Sequence, residues 1–258
     1  MVSSIASPIV LSIALAAIAL FAFATEAAIG FGATVLTVTL GAQLVPLDQL
    51  LPAFVPVNFF LSSVVLARNV RHVAWPLLLR QLAPATLVGL GLGLLLFRLQ
   101  SAVELQLAFA VFVVGLALIE LRRRDTPILP LGKIPRSGLL LVGGAVHGLF
   151  GAGGPMIVYV LGRLTNDKAV FRATLAVTWL SLNTALLLNY ASLHLLNQAS
   201  ARLSLVFLPS ALLALVVGEW LHRRLDARRF RVGIYVLLLV AGSALAIRTT
   251  LTLLRTRS

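Results

Sequence analysis

The chain is a succession of long apolar runs separated by short polar or basic stretches. Uninterrupted runs fall at Leu50–Ala67, Leu77–Phe97, Val103–Leu121, Val170–Tyr190, Arg202–Leu221 and Phe230–Ile247. Each is close to the ~20 apolar residues that a helix needs to cross a ~30 Å hydrocarbon core. Two further apolar segments are broken by glycine. Pro8 to Ile29 is followed by Gly30-Phe31-Gly32 and then by a shorter piece from Ala33 to about Leu44. Gly138 to Leu164 is broken in its middle by Gly151-Ala152-Gly153-Gly154-Pro155.

The two breaks match one another. Gly30 and Gly151, Gly32 and Gly153, and Thr34 and Pro155 are each 121 residues apart, and the same offset places Glu26 on His147. Glycine is a poor helix former, and proline lacks a backbone donor but suits the first turn of a helix. Each break therefore predicts a helix end followed by a helix start. The second piece directs its free N–H groups and positive dipole end at whatever lies before it. Irregular backbone at membrane depth is tolerated only where it is buried in protein or lines a cavity. Paired breaks in two halves are a sequence pointer to a transporter site.

The pattern predicts an all-α polytopic membrane protein of two homologous halves. Each half is a glycine-broken helical hairpin plus three transmembrane helices. Residues 1–121 form the first repeat, 122–137 a basic, proline-rich cytoplasmic linker, and 138–258 the second repeat. The arginines favour hairpins over single crossings. With hairpins, Arg68–His72, the linker, Arg163–Arg172 and Arg223–Arg231 all fall inside, as the positive-inside rule asks. The uncharged turns at Gln43–Gln49 and Ser192–Ser200 fall outside. The hairpin arms also read as short, Gly138 to Phe150 covering roughly 20 Å at 1.5 Å per residue. Three crossings per half make the repeats inverted. The arrangement leaves Arg248, Arg255 and Arg257 outside, against the rule.

Composition narrows the class. Of 258 residues, 60% are hydrophobic and 11% charged, against about 25% charged in soluble domains. The net charge of +13 would suggest nucleic acid in a soluble protein. Here the arginines cluster between apolar runs, so their expected partner is anionic lipid. No Lys or Arg precedes Arg68, so the first helix reads as retained rather than as a cleaved signal. The absence of cysteine removes thiolate chemistry and cysteine-ligated metal. The histidines, His72, His147, His194 and His222, have no metal-ligand spacing. No cofactor and no enzymatic activity are expected, and no P-loop pattern suggests an ATP-driven pump.

The candidate substrate-binding residues follow from the breaks. Gly30, Gly32, Ala33 and Thr34 from the first, and Gly151, Gly153, Gly154 and Pro155 from the second, would offer backbone amides, with a hydroxyl from Thr34. If the two tips meet near the midplane, they could hold a small anion without a buried lysine. Asn58 and Asn183 are amide donors on the following spans, Asn183 lying four residues after Trp179 on one helix face. Either Asn can equally be interhelical glue. Arg172 is the cationic candidate, because guanidinium matches a sulfonate or carboxylate in two places, although it can equally snorkel at a span end. Glu26 and His147 are the ionisable residues deep in apolar segments and the candidates for proton coupling.

The paired breaks, the run Lys168-Ala169-Val170-Phe171-Arg172-Ala173-Thr174 and the two-half plan resemble the sulfite exporter TauE/SafE family of membrane transporters over about Ala19 to Ile247. The resemblance implies secondary transport, as export, of small anions such as sulfite, organosulfonates or sulfoacetate, in the bacterial inner membrane. Expected partners are the anionic solute, the bilayer, a coupling proton or ion, and a second copy of the chain as a homodimer. A passive anion channel and an uptake carrier for another organic anion are the alternatives. A channel would show repeated polar rings along one pore, whereas the polar residues here gather at one level.

Overall fold

The computed structural model describes residues 8–29, 32–122, 131–224 and 227–257. Those residues are almost entirely helical, with no strand among them. In order the helices are α1 (Pro8–Ile29), α2 (Ala33–Gly41), α3 (Leu47–Asn69), α4 (Trp75–Leu77), α5 (Ala83–Leu99), α6 (Ala102–Arg122), α7 (Lys133–Phe150), α8 (Gly154–Leu161), α9 (Lys168–Ser192), α10 (Gln198–Arg224) and α11 (Ala227–Arg257). A 3-10 turn, Val70–His72, follows α3, and a π-helical turn, Leu78–Leu82, joins α4 to α5. Seven of the described segments are long and apolar enough to cross a membrane, so the chain is a multi-pass membrane protein.

The 121-residue offset runs through the element order. The pieces after the breaks start at Ala33 and Gly154, and the next spans at Leu47 and Lys168, each pair 121 apart. Boundaries differ from expectation in three places. First, α7 begins at Lys133, not Gly138, because Gly132 stands at its N-cap and Pro135 fits the first turn. Its 18 residues give about 27 Å, and the 22 residues of α1 give about 33 Å. The first arms of both hairpins are therefore not short; only α2 and α8 are. Second, α9 opens at Lys168, two residues before the apolar run that starts at Val170. Asp167 caps it, accepting from Ala169 N (2.7 Å) and Val170 N (3.1 Å). The Val170 and Ala169 N–H groups hold that carboxyl below its usual range. Third, α11 continues ten residues past Ile247. Arg248 Nη1 donates to the carbonyl of Gln43 just beyond α2, at 2.5 Å.

The helices form two compact units. One comprises Met1–Leu51, Gln100–Asp125 and Leu205–Ser258; the other comprises Pro52–Leu99 and Thr126–Ser204. Each unit takes its pieces from both sequence halves. In the first, α6 packs on α11 around Phe109, Ala110, Val113, Tyr235 and Leu238. Within it α2 is tied to its neighbours by Gln43 Nε2 on Ala241 O (3.2 Å) and Gln106 Nε2 on Ala42 O (3.1 Å). Also in that unit, α10 meets α1 at Gly218, where a Cβ would lie 2.8 Å from Ala24 O.

The second unit is held by glycine. Gly89 and Gly93 on α5 face Gly144 and Gly148 on α7, two Gly-x-x-x-Gly pairs. A Cβ at Gly93 would lie 2.1 Å from Ala145 O, and one at Gly144 2.1 Å from Thr86 O. Backbones this close give van der Waals contact that lipid cannot replace. Ala24 and Ala145 are themselves 121 residues apart. The broken hairpin of each half thus packs on a span contributed by the other half, once in each unit. Around the zipper lies a core of Leu82, Leu90, Leu140, Ile157, Val160, Leu161 and Leu182.

A substitution pair tests the zipper. Gly93→Ala meets backbone and should cost about 1–3 kcal/mol, lowering the thermal unfolding midpoint in detergent. Gly91→Ala, with nothing within 4 Å of its Cβ, should leave the midpoint unchanged or higher. Equal midpoints for the two variants would contradict this packing.

Candidate functional site

Apolar surroundings demand that each broken backbone find partners inside the protein. At the second break, α7 ends on Gly151, whose φ of +64° is a left-handed cap. Its N–H donates to His147 O at 2.7 Å. The chain then turns back on itself. A Cβ at Gly153 would lie 2.0 Å from Gly143 O and 2.9 Å from the His147 Cβ, while Met156 and Ile157 pack over Gly143. The break is therefore a hairpin, and only glycine fits at Gly153. Helix α8 starts at Gly154 with Pro155 in its first turn. Pro155 has no donor, so the first-turn donors are Gly154 N and Met156 N, with Ile157 N bonded to Gly153 O at 3.4 Å.

His147 lies in this hairpin, 2% exposed. Its ring stacks on Trp179 of α9 at 5.8 Å between centroids and 8° between planes. Its Nε2 meets Asn183 Oδ1 at 3.3 Å. Two polar atoms beside that contact, His147 Nδ1 and Asn183 Nδ2, are buried with no partner. A buried polar group without a partner carries a penalty of about 1–3 kcal/mol, and such groups call for a functional explanation. Here an unsatisfied amide donor and an unsatisfied imidazole nitrogen stand next to the start of a helix.

The first break solves the same problem differently. Gly32 takes φ of +112° at the N-cap of α2. The Ala33 N–H, first in α2, donates to Glu26 Oε2 at 3.0 Å. A carboxylate there complements the positive helix end. A side chain of the chain itself thus occupies the position expected for a solute, so Ala33 N is not a free donor, contrary to the sequence expectation. Thr34 is buried on α2, and the Thr37 hydroxyl one turn on is buried without a partner. Gly30 lies outside the described residues.

Of the predicted residues, the second unit brings together His147, Gly151, Gly153, Gly154, Pro155 and Asn183. Asn58 is buried on α3 in the same unit. Arg172 is not part of the cluster. It is exposed, eleven residues before Asn183 on α9, roughly 16 Å along the helix. The sequence reading missed Trp179 as the stacking partner of His147, although its four-residue spacing from Asn183 was visible. Among the described residues no group of three or more metal-ligating side chains occurs.

The profile of the family described as Sulfite exporter TauE/SafE matches residues 15–245. No curated protein and no solved structure matches the chain.

The Glu26 cap is testable. Glu26→Ala should lower the unfolding midpoint, since a buried amide left without its partner costs about 1–3 kcal/mol. Glu26→Gln keeps a carbonyl acceptor and should recover most of the loss. A Glu26→Ala protein as stable as the original would show that Ala33 N does not depend on this carboxylate.

Proposed function

Because the chain belongs to the sulfite exporter TauE/SafE family of membrane transporters, we propose that it is a secondary transporter exporting a small oxyanion across a bacterial inner membrane. Sulfite, organosulfonates and sulfoacetate are the solutes in question. The observation that carries the reading is the pair of unpartnered buried atoms, Asn183 Nδ2 and His147 Nδ1, beside the start of α8.

The chemistry follows from that arrangement. An oxyanion at the second break would accept from Asn183 Nδ2 and from the amides of Gly154 and Met156. A helix N-terminus favours negative charge. If His147 donates Nε2–H to Asn183 Oδ1, its Nδ1 is an acceptor and can take a proton without breaking that contact. A proton at Nδ1 would become a further donor to the anion and offset its charge. Solute and proton then bind together, which is coupling at a single site. At the first break the Glu26 carboxyl already takes the first amide of α2, so that helix start has less to offer an incoming anion. Together these groups give two proton-binding positions and one preferred anion position. The inverted orientation of the halves and alternating access belong to the same proposal. Support comes from the element order recurring after 121 residues and from the arginine-rich loops.

Reconstitution into liposomes with a sulfite flux assay tests the proposal. Asn183→Leu should raise the KM for sulfite about tenfold or more, the equivalent of one charge-assisted hydrogen bond. His147→Gln should flatten the pH dependence of flux, because the protonatable ring nitrogen is lost. Wild-type flux that is absent for every oxyanion, or unchanged KM and pH profile in the two variants, would reject it.

A further inference from the structure

The second unit holds another polar cluster, at the far end of α9 from Asp167. Arg98, in the last turn of α5, donates from Nε to Asn189 Oδ1 and from Nη2 to Ser192 Oγ, both at 2.7 Å. These bonds use the side edge of the guanidinium and fix its plane. They also fix the Asn189 amide, because only its oxygen can accept from Arg98. Its nitrogen Nδ2 is left buried without a partner, on a residue 5% exposed. The next residue, Tyr190, is fully buried, and its hydroxyl has no partner either. The Tyr190 ring packs against Phe97, the neighbour of Arg98, at 5.6 Å between centroids. A cation at the C-terminal end of α9 also suits the helix dipole. That role accounts for Arg98 itself, but not for the unsatisfied Asn189 Nδ2 or for the unsatisfied hydroxyl of Tyr190 beside it in sequence.

We propose that Arg98, Asn189 and Tyr190 form a second oxyanion-binding station, distinct from the broken hairpin. Guanidinium has five N–H donors. Two are engaged here, and the two-pronged end-on edge remains, which matches a carboxylate, sulfonate or sulfite in two places. The ligand is a small oxyanion with at least two accepting oxygens. Asn189 Nδ2 and the Tyr190 hydroxyl supply further donors. Asn183 and Asn189 lie six residues apart on α9, so the two stations are separated by roughly 9 Å along one helix. On the topology inferred from the basic loops, this end of α9 faces outward, and the station would receive the solute after the break releases it. That last step rests on the transporter reading; the binding site does not.

Binding to the full chain in nanodiscs of phosphatidylcholine tests the station, with sulfite as the probe. The background carries Trp75→Phe and Trp220→Phe, so that Trp179 fluorescence reports on the break through its stack on His147. Calorimetry counts the sites. Two sulfites should bind; Arg98→Gln should remove one and leave the Trp179 response in place. Asn183→Leu should remove the Trp179 response and leave the Arg98-dependent site. In flux, Arg98→Gln should raise KM about tenfold at low salt with kcat unchanged, and the difference should shrink in high salt. A single sulfite site that Arg98→Gln does not touch overturns the station while sparing the transporter reading. So does a lower unfolding midpoint in Arg98→Gln with an unchanged isotherm. Loss of the Trp179 response in the parent, with Arg98-dependent binding intact, overturns the transporter reading instead. Nanodiscs containing phosphatidylglycerol separate the two sources of oxyanion. If Arg98 binds that headgroup and takes no sulfite in phosphatidylcholine alone, the solute station is refuted.

Discussion

A peptide group with no water to bond must find its partner within the protein. That requirement shapes both halves of this chain. Each half interrupts a helix inside an apolar segment, and each must then satisfy the loose ends. The second half does so with backbone. Gly151 closes onto His147 O, and Gly153 presses against Gly143 so closely that no side chain fits between. The first half uses a side chain, Glu26, reaching seven residues forward to the first amide of α2. Glycine geometry in one and a carboxylate in the other leave different electrostatic results at equivalent positions.

The difference bears on where a negatively charged solute can sit. A helix start already holding a carboxylate offers little to a second anion. A helix start flanked by an imidazole and an amide with unused hydrogen-bonding capacity offers much more. Equivalent sequence positions therefore need not be equivalent sites. Glu26 and His147 lie 121 residues apart, yet one bonds the helix start that follows it and the other keeps a buried nitrogen without a partner.

The sequence alone made the interrupted segments, the 121-residue offset, the intramembrane Glu26 and His147, and the spacing of Asn183 legible. These are periodicity and composition signals, and they survive without coordinates. Three things were not legible. The partner of Glu26 was hidden, because a side chain bonding seven residues on depends on the angle of the turn. The Gly-x-x-x-Gly pairs of α5 and α7 were visible as glycines, but nothing in a sequence says which two helices meet. The role of Arg98 was hidden too, because its bond to Asn189 joins residues 91 apart. Helix ends were also misplaced where a basic or proline-containing stretch could continue a helix, as at Lys133 and after Ile247. Charge patterns mark the membrane boundary, and a helix need not stop there.

The glycines of α7 bear on how the site could move. Gly144 and Gly148 meet α5, while Gly143 and His147, one residue earlier in each case, meet the start of α8. Adjacent residues on a helix are about 100° apart, so α7 is gripped on two neighbouring faces by backbone contacts. It cannot rotate or slide without losing both. Its link to α9, by contrast, is made by side chains at His147, Trp179 and Asn183. Side-chain contacts can rearrange by rotamer changes, whereas backbone packed on backbone cannot. Any change driven by a proton or an anion at His147 should therefore be taken up on the α9 side, with α5, α7 and α8 moving as one body. The same helix α9 carries Asn189, so the element free to respond to the break is the one that reaches the Arg98 cluster.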